Sequence, residues 1–96
     1  MTSPLSPDRL AILRTADILE KVGWRQGTRT SWSDNDPLCI LEALARSTKE
    51  DIEIYCDARK KLTAHFGVDP IYWNDTRGRT QEEVLAGVRA CAVKGL

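Results

Sequence analysis

Ile71-Tyr72-Trp73-Asn74-Asp75-Thr76-Arg77-Gly78-Arg79-Thr80 runs without a break into Gln81-Glu82-Glu83-Val84, and the join between the two decides the fold class. Thr80-Gln81-Glu82-Glu83 has the spacing of a capping box, in which a threonine hydroxyl and a glutamate three residues on satisfy backbone donors at a helix start. Beyond it Val84, Leu85, Val88, Cys91 and Ala92 recur as one inner stripe, which predicts a last helix reaching Lys94. Gly87 lies at the edge of that stripe. A mid-helix glycine costs about 1 kcal/mol relative to alanine, so the close approach of another backbone is the expected reason for it. Upstream of the cap, Asn74 and Asp75 suit turns closed by side-chain-to-backbone hydrogen bonds. Trp73 suits a core plug and Pro70 a stop. The stretch then reads as a clamp between a third and a fourth helix, not as an active site.

Three further helices follow on working back along the chain. Ser6, Pro7 and Asp8 give an N-cap, a proline in the first turn and an acid at the positive end of the dipole. Ala11, Ile12, Thr15, Ala16, Leu19 and Val22 then share a face, and Gly23 is the stop. Leu10 and Leu13 fall outside this stripe, so the first helix needs two neighbours or a partner. Asp36-Pro37 repeats the start signal ahead of Leu38-Cys39-Ile40-Leu41-Glu42-Ala43-Leu44-Ala45, apolar nearly all round. This predicts a short buried helix acting as hub. Ser47-Thr48-Lys49-Glu50 fits another capping box, with Ser47 as cap. The third helix it opens should face inward through Ile52, Tyr55, Cys56, Arg59, Leu62, Thr63 and Phe66, project Ile54 outward, and end at Gly67. The expectation is an all-α bundle of about four helices, with residues 1–7 a flexible leader and 8–96 one domain.

Between the first two helices, residues 24–36 are polar apart from Trp24 and Trp32. This is a loop, with an extended pair around Gly27, whose tryptophans fit as a lid on the core. The 96 residues carry 14 basic and 14 acidic side chains, and each half balances, six against six up to Thr48 and eight against eight after it. Such balance gives no overall field attractive to phosphate. No apolar run approaches the roughly 20 residues of a membrane span, and the N-terminus lacks the pattern of a secretory signal. A cytoplasmic protein is expected. Cys39, Cys56 and Cys91 are an odd number at wide spacing within apolar patterns, which points to reduced, buried thiols.

The same spacing speaks against a metal, because no Cys-x-x-Cys or Cys-x-x-His pair exists. Cys56 and His65 sit nine residues apart on one helix, about 13.5 Å of rise and half a turn, too far for a nucleophile and base. His65, beside a helix end, suits a dipole-complementing group. No catalytic residues, cofactor or small-molecule substrate are therefore expected. Local positive charge outside helix ends is confined to Arg25 with Arg29, and Arg77 with Arg79. Aromatics beside arginines are typical of interface hot spots, so Trp24, Arg25, Gln26, Trp32, Trp73, Asn74, Asp75, Arg77 and Arg79 form the candidate partner surface. A nucleic-acid regulator using the four loop arginines is the alternative.

Gly23-Trp24-Arg25-Gln26-Gly27, Cys39 with Ala43, and Trp73-Asn74-Asp75 followed by Gly78-Arg79-Thr80-Gln81-Glu82-Glu83-Val84 together resemble a family of small proteins of unknown function from actinobacteria and their bacteriophages. The likeness spans residues 8–92, though Pro37–Glu42 lacks the glycine that follows the cysteine in the family pattern. With two Trp-bearing polar loops and apolar residues outside the core stripes, the expected partner is a host protein or a second copy of the chain. The resemblance implies a small, mostly helical cytoplasmic protein that is phage-encoded. It implies no activity.

Overall fold

A computed structural model of the protein describes residues 5–27, 36–49 and 51–95. Among them the elements are helices: α1 (Pro7–Val22), α2 (Ile40–Thr48), α3 (Ile52–Phe66), α4 (Pro70–Asn74) and α5 (Gln81–Val93). The chain is a small all-α domain, as its periodicity requires. Arg29, Trp32, Glu50 and the first four residues of the expected leader lie outside the described residues.

α1 begins and ends where its signals place it, with Pro7 in the first turn and the Gly23 N–H donating to Leu19 O. Its inner stripe, Ala11, Ile12, Thr15, Ala16 and Leu19, is buried, and Ile18 at the stripe's edge and Leu13 outside it also pack on the core. They do so because α1 lies against α2, α3 and α5 at once. α1 therefore carries the most extensive packing, α3 packs on all four other helices, and α2, the expected hub, meets α1, α3 and α4 with only nine residues. Polar links reinforce the α1 contacts: Thr15 Oγ1 lies 3.1 Å from Ser47 Oγ, and Arg89 of α5 reaches Asp17 and Glu20. Arg9 donates to the carbonyls of Ala92 and Lys94, closing the end of α5.

Asp36-Pro37 does not start α2. Leu38 N–H donates to Gly23 O and Arg25 N–H to Leu38 O, each at 3.0 Å. These bonds form a parallel bridge between Trp24 and Leu38. They hold Leu38 extended, so the helix waits for Cys39. The Cys39 thiol accepts from Glu42 N at 3.5 Å while the Glu42 carboxylate accepts from Cys39 N at 3.2 Å, a capping box with sulfur in place of the usual hydroxyl. Leu38, Cys39, Ile40, Ala43 and Leu44 are buried, as expected of a short central helix, while Ala45 faces out. The extended pairing joins Trp24 to Leu38, and the pair expected around Gly27 runs into residues outside those described.

α3 starts later than its sequence suggests. Ser47 and Thr48 finish α2, Lys49 turns the chain at a positive φ of 54°, and Asp51 supplies the cap, accepting from Ile54 N at 3.1 Å. The helix is turned so that Ala58 and Leu62 are buried and Ile54, Tyr55 and Phe66 pack on the core. Ile52 and Cys56 point outward instead of inward, and Ile54 inward instead of outward. Both stripes share Tyr55, Leu62 and Phe66, so periodicity alone does not choose between them. Packing against α1 does. Gly67 ends α3 in the left-handed conformation. Pro70 then opens a helix where a stop was expected, because the Asp69 carboxylate caps α4 by accepting from Ile71 N at 3.0 Å. α5 follows its Thr80 cap and buries Val84, Val88, Cys91 and Ala92.

Candidate functional site

The fold brings Trp24-Arg25-Gln26-Gly27 onto Trp73-Asn74-Asp75-Thr76, the two segments with the most distinctive chemistry. At the centre is Asn74, 0 % exposed. Its Oδ1 accepts from Trp24 Nε1 at 2.6 Å and from Ile40 N at 3.0 Å. Its Nδ2 donates to Arg25 O at 3.3 Å and to Asp75 Oδ1 at 2.9 Å. One carboxamide thus ties α4 to the loop after α1 and to the first free N–H of α2, where a helix would otherwise leave a donor unmatched. Around it Gln26 Nε2 donates to the carbonyls of Asn74 and Thr76, Gly27 N–H donates to Asp75 Oδ1, and Trp24 N–H to Gln81 Oε1. In place of the clamp expected between the third and the last helix, the Asn74 network joins α4 to α2 and to the segment after α1, contacts of high sequence separation that local patterns do not show.

The arginines of the candidate surface divide. Arg25 pairs with Glu42 at 2.9 Å and donates to Pro37 O. Arg79 lies 4.0 Å above the Trp73 ring, donates to Trp73 O and pairs with Glu83. Phe66 stacks on Trp73 at 3.8 Å and 1°, leaving the other ring face to Arg79. This sandwich accounts for Gly87, where a Cβ would stand 2.9 Å from Trp73 Cη2 and 3.3 Å from Phe66 Cε1. The close neighbour is aromatic side chain, not the backbone anticipated from sequence. Arg77 stays exposed, with no hydrogen bond or ion pair to a described residue.

The cysteines do not share one environment. Cys39 and Cys91 are buried and burial pushes both thiols up, whereas Cys56 is exposed on α3, contrary to its place in the expected inner stripe. Among the described residues no group of His, Cys, Asp and Glu is placed to hold a metal ion, and no helix is long and apolar enough to cross a membrane.

His65 is not the dipole-complementing cation its position suggests. Burial, and then the charge of Lys94, push its imidazole below the ordinary 6.5, and its Nδ1 is buried with no hydrogen-bond partner among the described residues. A lowered value means the unfolded chain takes up this proton first, so the contribution to stability is complete above about 6.5 and is lost as pH falls through the depressed value. The carboxyls of Asp8 and Asp69 act in a separate, more acid window: burial would raise each, but hydrogen bonds and the neighbouring Lys61 or Arg59 outweigh it and hold them below 3.8. Urea midpoints measured while acidifying from about pH 7 to pH 5 should fall for the wild type and fall less for His65→Gln.

Sequence reasoning missed the outer face of α3. Ile52 and Tyr72 are each 74 % exposed, and Val68 and Cys56 are exposed with them. Cys56, Arg59, Lys60, Thr63, Ala64 and Asp69 line an open, mainly apolar groove of about 450 Å³. Arg59 and Asp69 pair at 2.8 Å along its side.

Fold and site together define a small helical domain whose most distinctive polar residues are spent on holding the chain together. The chain belongs to a family of unknown function, DUF6197, which it matches over residues 6–94. Comparison with curated proteins and with solved structures finds no significant match.

Proposed function

We propose that the chain is a non-catalytic protein-binding domain of the cytoplasm, and of the host cytoplasm if it is phage-encoded, as its motif resemblance implies. The carrying observation is the exposed apolar set along α3 and at α4, Ile52, Cys56, Val68 and Tyr72, beside an open groove. Exposed large apolar side chains on so small a domain are the material of an interaction surface. The rival reading, a nucleic-acid regulator, draws less support, since Arg25 and Arg79 are neutralised by Glu42 and Glu83. A photo-crosslinker attached at Cys56, the exposed thiol, tests the two. Protein adducts that resist nuclease and weaken about tenfold in Ile52→Glu support the proposal, that being the scale of a lost hot-spot contact. Nucleic-acid adducts that fade steeply with salt support the rival. No adduct of either kind overturns both.

A further inference from the structure

The outward face of α3 has a charge pattern that the ion pairs among the described residues leave largely unused. Arg59 is paired with Asp69 and Lys61 with Asp8. Glu53, Asp57 and Lys60, all exposed on the same helix as Ile52, Cys56 and Ala64, make no ion pair with any described residue. Glu53 and Asp57 are moreover four apart, so their like charges face each other along the helix and oppose its formation. Acids in the first half and a base in the second match the helix dipole, but dipole matching does not require them to border an uncovered apolar line.

We infer that this face pairs with the same face of a second copy, α3 lying antiparallel to α3 about a two-fold axis. The inference rests on the protein-binding reading above and names the partner. With the axis near the level of residue 58, Ile52 of each chain comes level with Ala64 of the other, and Glu53 and Asp57 of each come within reach of Lys60 of the other. A two-fold interface must be self-complementary, each residue meeting its counterpart twice. An acid-to-base gradient along a helix has that property in the antiparallel sense alone, since a parallel pairing sets Glu53 and Asp57 against themselves. Small residues at Cys56, Thr63 and Ala64 allow the helices the 8–10 Å approach of ordinary packing. One helix face per chain buries less than about 1,200 Å² in total, the low end for protein interfaces, so the dimer should dissociate on dilution.

Sedimentation equilibrium over a concentration series tests this with charge variants at exposed positions, circular dichroism confirming that each variant stays helical. The wild type should dimerise. Lys60→Glu and Asp57→Lys should each weaken self-association about tenfold or more, as like charges set face to face do. Mixed in equal amounts the two variants should form a heterodimer, because each supplies the charges the other lacks. A bifunctional maleimide should join two wild-type chains through Cys56 and fail with Lys60→Glu. A wild type that stays monomeric up to its solubility limit overturns the inference, as does a dimer indifferent to these charges. If a monomer still gives protein adducts from Cys56, the protein-binding reading survives without self-pairing; if it gives none, both fall.

Discussion

Asn74→Ala is expected to lower the unfolding free energy by about 3 kcal/mol, because one buried and two partly buried groups lose a hydrogen bond at once and each such loss costs about 1–3 kcal/mol, offset in part by any water that enters. Those groups are Trp24 Nε1–H, Ile40 N–H and Arg25 C=O. Urea titration followed by tryptophan fluorescence gives the midpoint shift directly. Asn74→Asp provides the sharper diagnosis. It preserves shape and the acceptor that serves Trp24 and Ile40, but it replaces the donor by a carboxylate beside Asp75 Oδ1 and the Arg25 carbonyl. Like charges in contact, one of them buried, raise the affinity of the new group for a proton. This variant should therefore be about as unstable as Asn74→Ala near neutral pH and recover stability as the pH is lowered, opposite in direction to the His65 effect. If both variants match the wild type, Asn74 is no clamp.

Gly87→Val is expected to destabilise by about 3 kcal/mol, although valine has the better intrinsic helix propensity. A Cβ at this position would already stand closer to Trp73 than van der Waals contact, and shifting the indole disturbs its stack on Phe66 and its contact with the Arg79 guanidinium. Overpacking of this kind typically costs about 1–3 kcal/mol, and branching at Cβ places it at the upper end. The control is a double-mutant cycle. Trp73→Leu alone should be destabilising, but in its background Gly87→Val should cost far less, a coupling of 1 kcal/mol or more in size being expected of side chains in direct contact. Additive effects would show that Trp73 is not the obstacle.

What could be read beforehand follows the range of the forces involved. Pro7, Gly23, Gly67 and Thr80 mark helix ends through their own backbone preferences or through bonds within one turn, and all are placed correctly. The α5 stripe is legible for the same reason. Asp36-Pro37 and Ser47 fail because a neighbour competes: Gly23 and Arg25 hold Leu38 extended, while Ser47 turns back to the Leu44 carbonyl. The orientation of α3 was ambiguous within its own sequence, and with it the positions of Ile54 and Cys56. At the site, the importance of Trp73-Asn74-Asp75 was visible, and so was its use as a clamp. Its partners were not, because Trp24, Arg25 and Ile40 reach Asn74 across a separation of 34 to 50 positions. The open groove beside α3 was invisible, since it depends on which side α1 covers.

The position of α1 also bears on how the protein comes into being. α1 opens at residue 7 and α5 at residue 81, so the most extensively packed element is synthesised 74 residues ahead of one of its main neighbours. At about 5–20 residues per second, translation leaves a nascent chain with α1 half covered for several seconds. During that interval Ala16, Leu19 and Ile12 have only α2 and α3 to shield them, and the Asn74 carboxamide arrives just before the helix that completes the domain. The core around α1 is thus complete only once α5 docks, through contacts of high sequence separation that are slow to form.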